Sequence, residues 1–309
     1  MFRNILALLA LLLLTACGQI PDKSFNPRIS DPVYAVGQGP VVCLDEGHNN
    51  FHTLDNRFWA FGKLLRRDGY VVESTKSKLT ADILRPCSIL VIANAQLEGD
   101  WDTYPYPTPS AFTPEEIATV QNWVQEGGAL LLIADHMPLA GVAQALAAAF
   151  KVEFNNGFAI QVYEDESKRD AAFDMQTIFR IQDLTLAQHA ITEGRTPEES
   201  VSYVRSFTGQ AFLAPEAAEP ILILPQDFIS LMPEKAWQFE PNTKRIPVGG
   251  WLQGAVMKYG SGRTAFFGEA AMFTAQLSDL KPVGMNAPQA EQNSQFVLNL
   301  MHWLSGVLN

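Results

Sequence analysis

Cysteine is scarce in this chain, with three in 309 residues. That excludes a small fold stapled by several disulfides, and it excludes paired Cys-x-x-Cys metal knuckles. Basic residues are also few, 22 Lys and Arg against 33 Asp and Glu, for a formal net charge of −11. A chain of that sign repels phosphate backbones, which argues against nucleic-acid binding. No apolar run approaches the roughly 20 residues a membrane-spanning helix needs, and the one from Ile5 to Leu14 stops well short. Gly-x-Ser-x-Gly, P-loop and Gly-x-Gly-x-x-Gly signatures are missing. Apolar residues are plentiful. With 47% of residues hydrophobic, and 19 Phe, 7 Tyr and 6 Trp, the chain can fill a large core and is not a disordered one.

The first 16 residues read as a signal peptide, with Arg3 in a short basic region followed by the apolar run. The run closes on Leu14-Thr15-Ala16-Cys17, which resembles a bacterial lipobox. That resemblance implies lipidation of the Cys17 thiol, cleavage before it, and a membrane partner through the acylated cysteine. Gly18 rather than Asp follows, which by the sorting rule for such signals implies the periplasmic face of the outer membrane. Residues 17–38, rich in Pro, Gly and polar groups, read as a flexible tether. Cys43 and Cys87 both lie beside expected strands, and a disulfide and two buried free thiols are both open to them.

From residue 39 onward, apolar runs alternate with helical periodicity. Val41–Leu44, Tyr70–Val72, Ser88–Ala93 and Ala129–Ala134 are strands. Residues 54–67, a helix opened by Thr113-Pro114-Glu115-Glu116, and residues 140–150 are the helices between and after them. Strands that are apolar throughout belong to a parallel sheet covered on both faces, so the fold class is α/β, doubly wound. Alternation near 177–182, a strand at Pro220–Leu224 and a strand pair across Gly260-Ser261 add antiparallel elements. The expected domain is 39–309, with an elaboration at about 151–247 and a last helix from about Asn286.

In an open parallel sheet, ligands bind beyond the carboxyl ends of the strands. Those ends carry Asp45, Glu46, His48, Asn49, Asn50 and His52, then Asn94 and Gln96, then Asp135 and His136, and finally Glu269. Asp135, His136, His48 and Glu269 are the candidate acid–base groups, and Asp45, Glu46, Asn49 and Asn94 the candidate ligand contacts. His48, His136 and Asp135 also form a possible donor set for a divalent metal, although their spacing matches no known metal motif. His189 and His302 read as structural. The loop Trp101–Tyr106 is either a lid, a sugar-stacking platform or a rigid surface loop.

The stretches Leu44–His52, Ile133–Pro138, Phe267–Phe273 and Asn293-x-x-Phe296-x-Leu298-Asn299-x-x-x-x-Trp303-Leu304 are together similar to an uncharacterised secreted family. It lies in the class I glutamine amidotransferase-like superfamily, beside ThuA-like, GldG-type and intraflagellar-transport domains. The resemblance implies a flavodoxin-like three-layer α/β/α fold. It does not imply glutaminase chemistry, because the turn that carries the superfamily's nucleophilic cysteine reads Asp135-His136-Met137 here. A lipid-anchored protein that binds, or hydrolyses, a small polar and carbohydrate-like ligand is the leading expectation. A non-catalytic module with a protein partner in an envelope complex is the alternative.

Overall fold

A computed structural model describes residues 18–162 and 177–309. The expected signal peptide, Cys17 and the beginning of the Met175–Leu186 stretch lie outside the described residues.

The described residues open with a short strand, β1 (Gln19–Pro21), and then run through β2 (Val41–Asp45), α1 (Trp59–Arg67), β3 (Val71–Thr75), α2 (Ala81–Leu84) and β4 (Ile89–Ala93). Next come α3 (Pro114–Gln125), β5 (Ala129–Ile133) and α4 (Leu139–Ala149). The elaboration holds β6 (Glu153–Phe154), β7 (Phe158–Gln161), β8 (Thr177–Arg180), α5 (Ala190–Glu193), β9 (Tyr203–Ser206), β10 (Phe212–Leu213), β11 (Glu219–Ile223), β12 (Phe228–Met232) and β13 (Lys244–Pro247). The chain closes with β14 (Leu252–Tyr259), β15 (Gly262–Phe267), β16 (Ala275–Ser278), β17 (Lys281–Gly284) and α6 (Asn293–Leu304).

The main sheet has the order β3-β2-β4-β5-β15-β14-β10-β6, with β11 also paired to β14. Its first five strands are mutually parallel, and β14, β10, β11 and β6 extend it antiparallel. Apolar runs with no alternation place side chains on both faces, and each face has its own core. Leu44, Val91, Leu131 and Ile133 pack with Phe61 and Leu65 of α1 and with Phe296 and Leu300 of α6. Cys43, Leu90, Leu130 and Leu132 pack with Val120 and Val124 of α3 and Leu146 of α4. The fold is therefore a three-layer α/β/α sandwich of flavodoxin-like topology, with an antiparallel elaboration. Cys43 on β2 and Cys87 just before β4 form a disulfide.

Two expectations are corrected. Residues 18–38 are not a free tether. β1 pairs antiparallel with β16, and Phe25, Ile29, Val33 and Tyr34 pack against the α1–α6 core. Lys63 Nζ holds the carbonyl of Phe25 at 2.9 Å, and Asp68 Oδ1 takes the Val33 amide at 2.9 Å. The Pro and Gly content sets an irregular path, while four large apolar side chains fix it to the body. The last helix starts at Asn293, not near Asn286. Residues 286–292 form turns, and Gln292 Oε1 accepts the backbone amides of Ser202 and Tyr203 at 2.7 and 3.0 Å.

Candidate functional site

Because β2, β4, β5 and β15 are parallel and in register, their carboxyl ends meet at one edge of the sheet. The candidate residues are brought together there, in two polar clusters.

The first cluster is built around His48. Its Nδ1 meets the Asp45 carboxylate at 2.9 and 3.0 Å, and its Nε2 meets Glu116 Oε1 at 3.1 Å. Phe112 packs on the ring at 4.5 Å. Asp45, fully buried, also accepts the Gly47 amide and Asn50 Nδ2, each at 3.1 Å. Burial works against a charged His48, but Asp45 and Glu116 outweigh it and raise its pKa above 6.5. For Glu116, burial is outweighed by the amides of Thr113 and Leu79 and by His48, so its pKa lies below the ordinary value. Glu116 is the residue the sequence reading missed as a member of this edge. Its capping box with Thr113 was legible and is formed, with Glu116 Oε2 accepting the Thr113 amide at 3.0 Å. That left no reason to expect its other oxygen at His48 and at the Leu79 amide.

The second cluster joins Asn94, Asp135 and Glu269. Asn94 Nδ2 donates to Asp135 Oδ2 at 2.7 Å, and the Asp135 amide donates to Asn94 Oδ1 at 2.8 Å. Asp135 Oδ1 accepts the Ala270 amide at 2.8 Å. Glu269, with no exposed surface, accepts the amides of Ala271 and Met272 at 2.8 Å each. Burial raises the pKa of both carboxyls, that of Glu269 well above the ordinary range, with the Asp135 charge adding to it.

His136 differs from its neighbours. Its Nδ1 lies 2.8 Å from the Met137 carbonyl, which can only accept, so Nδ1 carries the proton. Its Nε2 is then an acceptor, and it makes no hydrogen bond among the described residues. Phe158 stacks on the ring at 4.5 Å and 14°, with Trp237 at 4.6 Å and Trp101 at 6.2 Å. Burial lowers the pKa of His136, against the pull of Asp135, so the ring is neutral near pH 7. Trp237 has φ +64°, a conformation that costs a bulky residue energy.

The remaining candidates serve the loops. Glu46 Oε1 accepts the Leu54 amide at 2.8 Å. Asn49 takes φ +49°, and its carbonyl meets the reoriented Gln96 amide at 3.2 Å. His52 is buried between Phe51 and Phe58. As the sequence suggested, His189 caps α5 through the Ile191 amide, and His302 Nε2 meets Asp68 at 2.7 Å within the core.

The expected metal donor set is not assembled. A cation needs converging lone pairs at about 2.0–2.2 Å. Both nitrogens of His48 face carboxylates of their own, and both oxygens of Asp135 are taken up by Asn94 and Ala270. Among the described residues no group of three or more His, Cys, Asp or Glu is placed to hold a metal. A surface cavity of about 680 Å³ lies elsewhere, beside β8 and the turn at Leu224–Gln226, and includes none of these residues.

No protein-family model and no curated protein matches the chain. Among solved structures it is similar to the mmIFT52 N-terminal domain, at 13% identity and a TM-score of 0.58, over 85% of this chain and 97% of that one. A cytoplasmic protein from Salmonella typhimurium matches at 12% identity and a TM-score of 0.44, over 86% of this chain and 98% of that one. A ThuA-like protein from Bacteroides uniformis matches at 10% and 0.42, over 88% and 93%. At these identities the likeness concerns the fold alone.

Proposed function

We propose that this chain is a lipid-anchored, non-catalytic binding module of the bacterial envelope. Its strand-end face takes a small, hydroxyl-bearing ligand of carbohydrate type. The observation that carries this reading is the contrast between His136 and the buried acid–base candidates around it. Asp45, His48, Asp135 and Glu269 all spend their polar atoms on internal hydrogen bonds, so none of these four is a ready acid, base or nucleophile. His136 alone among them keeps an open acceptor, and it does so inside a surround of Trp101, Phe158 and Trp237. An acceptor beside aromatic faces suits a ligand with a donating hydroxyl and an apolar C–H face.

The envelope part of the reading rests on the Leu14–Cys17 sequence. The Cys43–Cys87 disulfide supports it, since disulfides persist in oxidising compartments. Among the described residues no helix is long and apolar enough to cross a membrane.

Titration with a panel of mono- and disaccharides, followed by tryptophan fluorescence, should give a saturable change. His136→Ala should abolish it in a protein that still unfolds in one cooperative transition, at a midpoint lowered by the lost ring packing. Nitrophenyl glycosides and esters should show no turnover above the blank. Turnover that disappears in His136→Ala would overturn the non-catalytic reading, and a flat response to every saccharide would overturn the ligand class.

A further inference from the structure

The start of the described chain is fastened to one corner of the fold, and the chemistry of that corner suits a lipid surface. β1 pairs with β16 in the register Gln19↔Ser278, Ile20↔Leu277 and Pro21↔Gln276. The pairing carries Gly18 to the β16–β17 turn, where a Cβ on Gly18 would stand 2.9 Å from Asp279 Oδ1. Further contacts fix the segment. The Asp22 amide donates to the Ala275 carbonyl at 2.9 Å, and Asn286 Nδ2 donates to Asp22 Oδ2 at 3.0 Å. Cys17 precedes Gly18 by one peptide, a Cα separation of about 3.8 Å. An acyl group on Cys17 therefore enters the membrane beside this turn, with no tether between lipid and domain.

The turn itself is unusual. Ser278↔Lys281 closes a two-residue loop in which Asp279 and Leu280 have φ +48° and +65°. Such a turn favours Asn or Asp followed by Gly. Leu280 is instead a branched apolar residue in a left-handed conformation, and it is 84% exposed. Backbone sterics and hydration both disfavour leucine there as long as the side chain stays in water. Ile20, on the neighbouring strand, is 55% exposed. Asp279 and Lys281 flank Leu280, so the tip of the turn carries no net charge and its contact with a leaflet rests on apolar burial.

We propose that the β1–β16–β17 corner is a membrane-docking surface, with Leu280 inserted among the lipids and Ile20 at the interface. It sets how the domain is oriented on the bilayer. This rests on the anchored reading above, and the test separates the two. The full chain, matured and acylated in cells, is reconstituted into phosphatidylethanolamine and phosphatidylglycerol vesicles. Leu280→Cys carries an environment-sensitive nitrobenzoxadiazole dye, since the disulfide and acylation occupy the other three thiols. The same dye at Leu184→Cys, 81% exposed in another part of the fold, is the comparison.

On vesicles the dye at 280 should shift to the blue and be quenched by doxyl-labelled lipid, while the dye at 184 should do neither. The dye at Ile20→Cys should show a smaller shift, which Leu280→Asp removes. A dye at 280 that stays in water while mass spectrometry shows Cys17 acylated and the protein floats with the vesicles would overturn the docking surface and spare the anchor. An unmodified Cys17 in protein that does not float would overturn both. Equal quenching at 184 and 280 would also overturn the proposal, because the domain would then have no preferred orientation.

Discussion

Asn94 and Asp135 exchange two hydrogen bonds across the carboxyl ends of β4 and β5, side-chain amide to carboxylate at 2.7 Å and backbone amide to side-chain carbonyl at 2.8 Å. Asn94 does this with φ +50° and no exposed surface. Asn is among the few side chains that tolerate the left-handed region, and here its amide also neutralises part of the cost of burying Asp135.

Asn94→Ala should therefore destabilise the fold by roughly 2–4 kcal/mol, the sum of a lost partner for a buried carboxylate and a strained φ. Asn94→Gly should recover the backbone part, about 1 kcal/mol, and leave the rest of the loss. Urea unfolding of the three proteins checks this. Equal losses for Ala and Gly would mean that the left-handed conformation contributes nothing.

The sequence showed this edge without showing how it is wired. Val41–Leu44, Ser88–Ala93 and Ala129–Ala134 are apolar throughout, so a doubly covered parallel sheet was legible, and with it the placement of Asp45, Asn94 and Asp135 at strand ends. Which polar atoms pair depends on distances across the sheet, and no local pattern records those. Glu116 shows this most clearly. Its capping box accounted for it locally, and its contact with His48 joins residues 68 apart. Residues 18–38 failed for the opposite reason. Their composition is that of a linker, and although Phe25, Ile29 and Val33 recur every four residues, Pro27 and Pro32 interrupt any helix, so no regular element reveals what holds the segment to the core.

The His48–Glu116 pair should give stability a two-sided pH dependence. His48 is raised above 6.5, so its contribution is complete below 6.5 and is lost as pH rises through its folded pKa. Glu116 is lowered below 4.5, so its contribution is complete above 4.5 and is lost as pH falls through its folded pKa. The pair is strongest between the two. Glu116→Gln should cost about 1–3 kcal/mol in that window, with the difference from wild type shrinking at both extremes. Thermal midpoints across pH for both proteins test it, and a difference that is constant with pH would show that the ionised pair is not what stabilises the edge.

The Cys43–Cys87 bridge closes a loop spanning 44 residues. Loop-closure entropy for that length amounts to about 4 kcal/mol at 25 °C. Both sulfurs lie in the α3–α4 core, so replacing them with a Cys43→Ala, Cys87→Ala pair leaves the packing nearly intact. The double variant should unfold at a lower denaturant concentration, with an unfolding free energy smaller by about 4 kcal/mol. The wild-type protein with reductant should move to the same midpoint, and a midpoint indifferent to reductant would mean that the bridge is unformed or without effect.

His136 should titrate on the opposite side of 6.5 from His48 although both sit at the same edge. Burial lowers its pKa below 6.5, so the folded protein binds fewer protons there than the unfolded chain does. Stability from this group is thus complete above 6.5 and falls as pH drops through the folded pKa, the reverse of His48. His52, buried with an unpaired Nδ1 and lowered further, acts in the same direction. Ligand binding at His136 carries the same sign, because protonating Nε2 turns its acceptor into a donor. Imidazole proton resonances followed by NMR should therefore separate His136 and His52, which titrate below 6.5, from His48, which titrates above it. Saccharide affinity should hold steady down to the His136 transition and collapse across it. Affinity that tracks the His48 transition instead would relocate the binding face to the Asp45–His48–Glu116 cluster.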